Sequence, residues 1–156
     1  MEQTGYLSQE GRVLAVCTSQ KKGVPKHDVG RAELRAGWGI VGDAHAADWH
    51  RQVSLLAWES IEKMRALGLN VRAGSFAENL TTSGICLVEL PVGTKLRIGT
   101  ALVQVTQIGK VCHDKCAIYY QAGDCVMPRE GIFVAVLEGG TVQAGDAVRV
   151  LPLTAE

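Results

Sequence analysis

The stretch Gln107 to Cys125, QIGKVCHDKCAIYYQAGDC, gathers three of the chain's five cysteines and one of its four histidines. Cys112, His113, Cys116 and Cys125 are all residue types that bind soft or borderline metals. Their spacing is Cys-His-x-x-Cys, then eight residues and a further cysteine. It lacks the paired Cys-x-x-Cys knuckle of zinc sites, and adjacent Cys and His side chains on a regular strand diverge. The haem signature Cys-x-x-Cys-His, the ferredoxin spacings and a thioredoxin-like motif are also missing.

What remains is a single thiol at the end of an element. The strand-like run LVQVTQIGKV gives out at Gly109-Lys110, so Cys112 falls where a sheet yields to a loop, with Lys110 two residues before it and His113 beside it. Positive charge near a thiol favours the thiolate, the form that attacks electrophiles and binds soft metals. The competing reading makes Cys112 one more buried apolar thiol. Cys116 and Cys125 fit either further ligands or sulfurs packed on the apolar face of a short helix.

The elements that must position this thiol are mostly strands. LRIGTALVQV reads as a hairpin in which a Gly99-Thr100 turn sets Ile98 opposite Ala101 and Leu96 opposite Val103 on one face, with Arg97 and Leu102 on the other. The segment Gly145 to Val150 echoes Gly93 to Ile98, which predicts two similar barrel strands. GRVLAVCTS, Gly11 to Ser19, predicts a short strand buried on both faces with Cys17 as a core thiol, and GIFVAVLEGG adds another strand. SLLAWESIEKMRALG predicts a helix with Ala57, Trp58, Ile61, Met64 and Leu67 as its apolar stripe, a Glu59–Lys63 pair and a stop at Gly68. QKKGVPKHD, with Lys21, Lys22 and Lys26, reads as a solvated loop of local positive charge.

Composition agrees with a curled or closed antiparallel sheet. Eighteen glycines and only 5% aromatic residues suit short strands joined by tight turns, which places the chain as mainly β, or α+β, with a few short helices. A flexible arm over residues 1–10 and one domain over 11–152 are expected. Sixteen basic residues cancel sixteen acidic ones, so no nucleic-acid or membrane partner is expected and any anion site must be local. With no targeting or membrane-spanning pattern and an odd number of cysteines, a cytoplasmic protein with unpaired thiols or a metal site is expected.

Four segments then carry a resemblance: VGDAHA (41–46), RQVSLL (51–56), SFAENLTTSGI (75–85) and LRIGTALVQVTQIGKVC (96–112). In order and rough spacing they resemble the molybdenum cofactor sulfurase C-terminal, or MOSC, domain, and nearly the whole chain is covered. The Phe-x-Glu-Asn-Leu segment and the strand leading to the cysteine are its most specific parts. Ala77 stands where relatives often have glycine. The resemblance implies a β-barrel-like domain and a cysteine, here Cys112, that carries persulfide sulfur or ligates the molybdenum of the pterin cofactor.

On that resemblance the cofactor is the molybdenum cofactor (molybdopterin), with Cys112 as catalytic residue and metal ligand. A soft metal suits a thiolate, and the pterin's phosphate needs cations or neutral donors. Lys26, Arg51 and Lys110 are the cationic candidates, and Asn79, Thr81 and Thr82 the neutral ones. Asp43 and His45 line the pocket or tie down a loop, and Glu78 stabilises local backbone or an ion pair. Each has a duller reading as an ion pair, a turn brace or a solvated charge. The leading expectation is a domain that handles cofactor or sulfur for a molybdoenzyme acceptor. Sulfur delivery implies a cysteine desulfurase partner, and pyridoxal phosphate belongs only to that partner. The alternatives are a molybdenum-dependent reductase of N-hydroxylated compounds fed by an electron-transfer protein, and a structural zinc or interaction module.

Overall fold

A computed structural model of the chain describes residues 10–109 and 130–152. Within them the strands are β1 (Glu10–Thr18), β2 (His27–Asp28), β3 (Arg31–Arg35), β4 (Gly39–Ile40), β5 (Val53–Ala57), β6 (Leu80–Ser83), β7 (Lys95–Ile98), β8 (Ala101–Ile108), β9 (Ile132–Glu138), β10 (Gly140–Gln143) and β11 (Ala147–Val150). Helix α1 (Trp58–Ala66) follows β5 directly, and a single 3-10 turn spans Leu87–Glu89. Among the described residues seven strands close in the order β1-β11-β7-β8-β9-β5-β6, and β6 returns to β1. All neighbours in this ring are antiparallel except β5 and β6, which run parallel. A small sheet, β10-β3-β4, stands apart, and β2 extends the end of β1 at Cys17 and Thr18. No described helix is long and apolar enough to cross a membrane.

The β7–β8 hairpin has the register that its sequence dictates. Leu96 faces Val103 and Ile98 faces Ala101, and all four are fully buried in the barrel. The echoing strand β11 is the other neighbour of β7, pairing Val148 with Ile98 and Val150 with Leu96. Similar alternation in antiparallel register thus places apolar residues of the two strands side by side in one wall. The same register sets Arg149 opposite Arg97, a like-charge pair that costs stability unless each finds a counter-charge. Arg97 reaches Glu138 at 3.3 Å and Arg149 reaches Glu10 at 3.6 Å, one acid on each flank.

Two expectations are corrected by packing. Ser54, Leu55, Leu56 and Ala57 belong to β5, and the helix begins only at Trp58. Leu55 joins the barrel core with Leu80 and Val134, whereas Leu56 points the other way, into a second cluster with Ile61, Met64, Phe76 and Phe133 beneath α1. A strand buried on both faces reads as a continuous apolar run, which periodicity alone cannot separate from a buried helix. Leu67 is exposed at the helix end rather than in the stripe, Lys63 pairs with Glu130 at 2.8 Å, and Glu59 accepts from the Gly84 amide. Gly68, at φ +95°, ends the helix as expected.

In β1 the both-face burial fails at Leu14, which is 44% exposed. Pairing with β6 slips between Val13 and Ala15, so Leu14 is the extra residue of a bulge and turns outward. Cys17 is a core thiol, fully buried. Burial, with Glu78 and Asp28 adding to it, pushes its pKa up to about 12.

Candidate functional site

Strand β8 delivers the chain to Gly109, whose amide donates to the carbonyl of Gly131 at 2.7 Å. Both ends of the intervening segment are therefore pinned at one place on the barrel rim. Cys112 and Lys110, with His113, Cys116 and Cys125, lie outside the described residues. The rim from which their segment departs is described, and it is polar. Gln107 donates through Nε2 to the Gly109 carbonyl at 2.6 Å, while its Oε1 lies 2.8 Å from His50 Nε2. The Thr106 hydroxyl bonds the carbonyls of His50 and Phe133.

Next to this rim stands Arg51, two residues before β5. Its guanidinium carbon lies 5.1 Å from the centre of the Trp49 ring and 5.6 Å from that of Phe133. Lys22 Nζ lies 4.9 Å from the same Trp49 ring. Aromatic faces attract cations, more strongly where water is displaced. The Arg51 Nε is buried and has no hydrogen-bond partner among the described residues. A buried donor left unmade is costly, and a site that expects an anion is one way such a donor is completed. Two cations around one indole form the cationic shelf of this rim.

The shelf is held by a turn made of VGDAHA and its continuation. Asp43 Oδ1 accepts from Lys26 Nζ at 2.8 Å and from the Ser19 amide at 3.1 Å, and Oδ2 accepts from the His45 amide at 3.0 Å. Lys26 Nζ also donates to Ser19 Oγ at 2.9 Å. Neither charged side chain has any exposed surface. Burial on its own raises the Asp43 carboxyl, but the Lys26 hydrogen bond, the two backbone amides and the Lys26 charge outweigh it and hold the pKa below its ordinary value. Trp49 Nε1 donates to the His45 carbonyl at 2.9 Å, which ties the shelf to this turn. The lysine loop is thus not wholly solvated: Lys26 leaves it for the interior.

Asn79, Thr81 and Thr82 occupy different surroundings. Asn79 Oδ1 accepts from the Ser54 amide and hydroxyl at 3.0 and 3.2 Å, and Nδ2 donates to the Cys17 carbonyl at 3.1 Å, so the side chain stitches β1, β5 and β6 together. Thr81 donates to Glu78 Oε2 at 2.7 Å, and Glu78 also accepts the amides of Gly74 and Phe76. Burial pushes the Glu78 carboxyl above its usual value, with these donors pulling against it. Thr82, opposite Ala57 at the far end of β5, keeps a buried hydroxyl with no partner among the described residues. The structure brings Asn79, Thr81, Lys26 and Cys17 close to the Gly74–Glu78 turn, and sets Arg51 apart with the rim.

Sequence reasoning missed Trp49, His50, Gln107 and Phe133, and gave Lys22 only a loop role. The run DWHR, an aromatic followed by a histidine and an arginine, was the available signal for the first two. Gln107 and Phe133 join by strand register, which no local pattern announces. Among the described residues no group of three or more His, Cys, Asp or Glu side chains is placed to hold a metal ion. Cys86 is exposed and precedes the 3-10 turn.

The model of the MOSC domain matches residues 42–149, a span that holds Asp43, Trp49, Arg51, the β5–β11 wall and, in sequence, Cys112. No curated protein matches the sequence. Among solved structures, the YuaD protein of Bacillus subtilis superposes with a TM-score of 0.74 at 17% identity, covering 90% of this chain and 95% of that one. YiiM of Geobacillus stearothermophilus gives 0.66 at 17% identity over 91% and 75% of the two chains, and YiiM of Escherichia coli gives 0.62 at 21% over 94% and 70%. At such identities the likeness speaks for the fold. With the family match running from Gly42 to Arg149, across six of the seven barrel strands, this chain belongs to the MOSC domain family.

Proposed function

We propose that this MOSC domain holds the molybdenum cofactor, or a persulfide destined for it, on Cys112 and passes it to a molybdoenzyme. The observation that carries the reading is Arg51: a guanidinium near two aromatic rings, with a buried Nε that has no partner among the described residues, beside the rim at Gly109 and Gly131. Such a donor fits the pterin's phosphate, because a guanidinium gives planar, paired hydrogen bonds to phosphate oxygens. Lys22 and Lys110 supply further charge. Asn79 and Thr81 act from behind, fixing the β1, β5 and β6 ends, and Thr82 has a buried hydroxyl with no partner among the described residues. When bound, the cofactor supplies a soft molybdenum centre on dithiolene sulfur.

Cys112 serves either branch through its thiolate, which Lys110 and His113 favour by their charge. In sulfur delivery the thiolate attacks the outer sulfur of a desulfurase persulfide; a new S–S bond forms, the old one breaks, and the donor cysteine leaves as thiolate with no net redox change. The pyridoxal phosphate of that step belongs to the partner.

The test is molybdenum and pterin content after purification from a molybdate-replete host, alongside mass spectrometry for one added sulfur on Cys112. Retention that disappears in Cys112→Ser and falls at least tenfold in Arg51→Ala supports the proposal, as does concentration-dependent transfer to an apo-molybdoenzyme. Zinc without molybdenum or persulfide overturns it in favour of a structural module. Turnover of hydroxylamine-type substrates by loaded protein with an added electron-transfer chain, and no transfer, replaces it with the reductase reading.

A further inference from the structure

We propose that Lys26 is a positioning residue: with Asp43 it forms a buried latch that fixes the Trp49 turn and, through it, the Arg51 guanidinium. The functional consequence rests on the reading of Arg51 as a phosphate contact; the latch itself does not. From Val41 to Arg51, Asp43 is the only residue that is buried. The segment delivering Arg51 to the rim therefore has no apolar anchor of its own, and a carboxylate takes that place.

The connection is continuous. Lys26 is fixed through its own backbone, its amide donating to the Gly74 carbonyl at 2.8 Å. Its ammonium holds Asp43, Asp43 holds the His45 amide, the His45 carbonyl holds the Trp49 indole, and the Trp49 ring carries the Arg51 guanidinium. Backbone bonds also steady the turn, Asp43 to Ile40 at 3.1 Å, Ala44 to Ser19 at 2.8 Å, Ala46 to Asp43 at 3.2 Å, Ala47 to Trp38 at 2.9 Å and Trp49 to Ala47 at 2.9 Å; the last two hold the Trp49 backbone without Lys26, but none holds the indole. A buried ion pair is weak as a source of stability and is better suited to selecting one arrangement among several, since charges tolerate misplacement less than methyl groups do. Lys26, without exposed surface and with Asp43 and Ser19 on its ammonium, acts on a ligand through Arg51 and not by contact.

The experiment uses the full chain. Lys26→Met/Asp43→Leu removes both charges at similar volume, and Asp43→Asn serves as a gentler second variant. Hydrogen exchange of the Trp49 indole, followed by NMR, is expected to accelerate at least tenfold in the double variant and measurably in Asp43→Asn, while the Val103 amide in the barrel wall keeps its rate. Unchanged indole exchange in folded variants overturns the latch. Cofactor retention supplies the second readout: the double variant should fall as far as Arg51→Ala, and adding Arg51→Ala to it should cost nothing more. Additive losses would mean that Lys26 touches the ligand itself and would overturn the positioning role. Wild-type protein that retains no cofactor refutes the proposed function, while indole exchange still decides the latch.

Discussion

Gly74 lies so close to the carbonyl of Lys26 that a methyl group at its Cα would overlap that oxygen and crowd the sulfur of Cys17. Its φ of +87° is left-handed, and its amide donates to Glu78 at 2.7 Å. Gly74→Ala should therefore lose about 1–3 kcal/mol to backbone strain and about 1–3 kcal/mol more to overpacking. Gly68→Ala is the control, with φ +95° and open space around it, and should show the strain alone. Urea unfolding of both variants reads the difference; equal losses would contradict the close approach.

Ala77, three residues on, has φ +64° and is the one described non-glycine residue in the left-handed region. It is also the position at which the sequence departs from the glycine often found in the family. Ala77→Gly should stabilise the fold by about 1 kcal/mol, the relief of a Cβ clash reduced by the greater freedom of glycine in the unfolded chain. A lower melting temperature for this variant would show that the turn tolerates Ala77 without strain.

The Lys26–Asp43 pair makes stability depend on acid. Asp43 titrates below its ordinary value of 3.8 in the folded state, so the unfolded chain binds the proton more readily. Its contribution is complete well above pH 3.8 and is lost as pH falls from there through the folded-state value. Denaturant unfolding from pH 7 down to pH 2.5 should show a steeper acid loss for wild type than for Lys26→Met/Asp43→Leu. At pH 7 Lys26→Met alone should cost about 3–5 kcal/mol, because it strands a buried carboxylate. Parallel pH profiles would contradict the depressed titration.

The cysteines should separate by environment. Cys17, fully buried and raised to about 12, should resist iodoacetamide until the protein unfolds, whereas exposed Cys86 should react in the native state. Burial and Glu89 raise the Cys86 pKa too, so it should react more slowly than a model thiol. Cys17→Ser should cost about 1–3 kcal/mol for burying a hydroxyl in place of the thiol, and Cys86→Ser within about 0.5 kcal/mol. Neither should change cofactor retention. Mass spectrometry of labelled peptides checks the order of reaction.

Local pattern sufficed where partners are close in sequence. The Gly99-Thr100 turn and the alternation on either side fixed β7 and β8 residue by residue, and the repeat of that alternation in Ala147–Val150 marked the next strand of the wall. Closure was legible only as a class, because β1 meets β11 and β5 lies parallel to β6 through contacts far apart in the chain. The same distance hid Lys26: its neighbours Gly23 and Pro25 speak for a loop, and its burial is decided by Asp43 and Gly74. Arg51 was visible as a cation but not as a partner of Phe133, which reaches it from β9.

Arg51 gives the most direct functional prediction. Arg51→Lys keeps the charge but removes the Nε and the planar fork, and a compact ammonium gains less from Trp49 and Phe133 than a guanidinium stacked between them. Were Arg51 only a solvated charge, the change would be neutral in every assay. Were it only packing, Arg51→Lys and Arg51→Met would lose stability together and leave cofactor retention per folded molecule intact. As a phosphate contact, Arg51→Lys should keep the melting temperature within a few degrees and yet reduce molybdenum and pterin retention at least tenfold, with Arg51→Met lower still. Raising inorganic phosphate should strip cofactor from wild type more readily than an equal ionic strength of chloride, and this difference should vanish in Arg51→Met. Retention in Arg51→Lys equal to wild type, with phosphate no better a competitor than chloride, would remove Arg51 from the site.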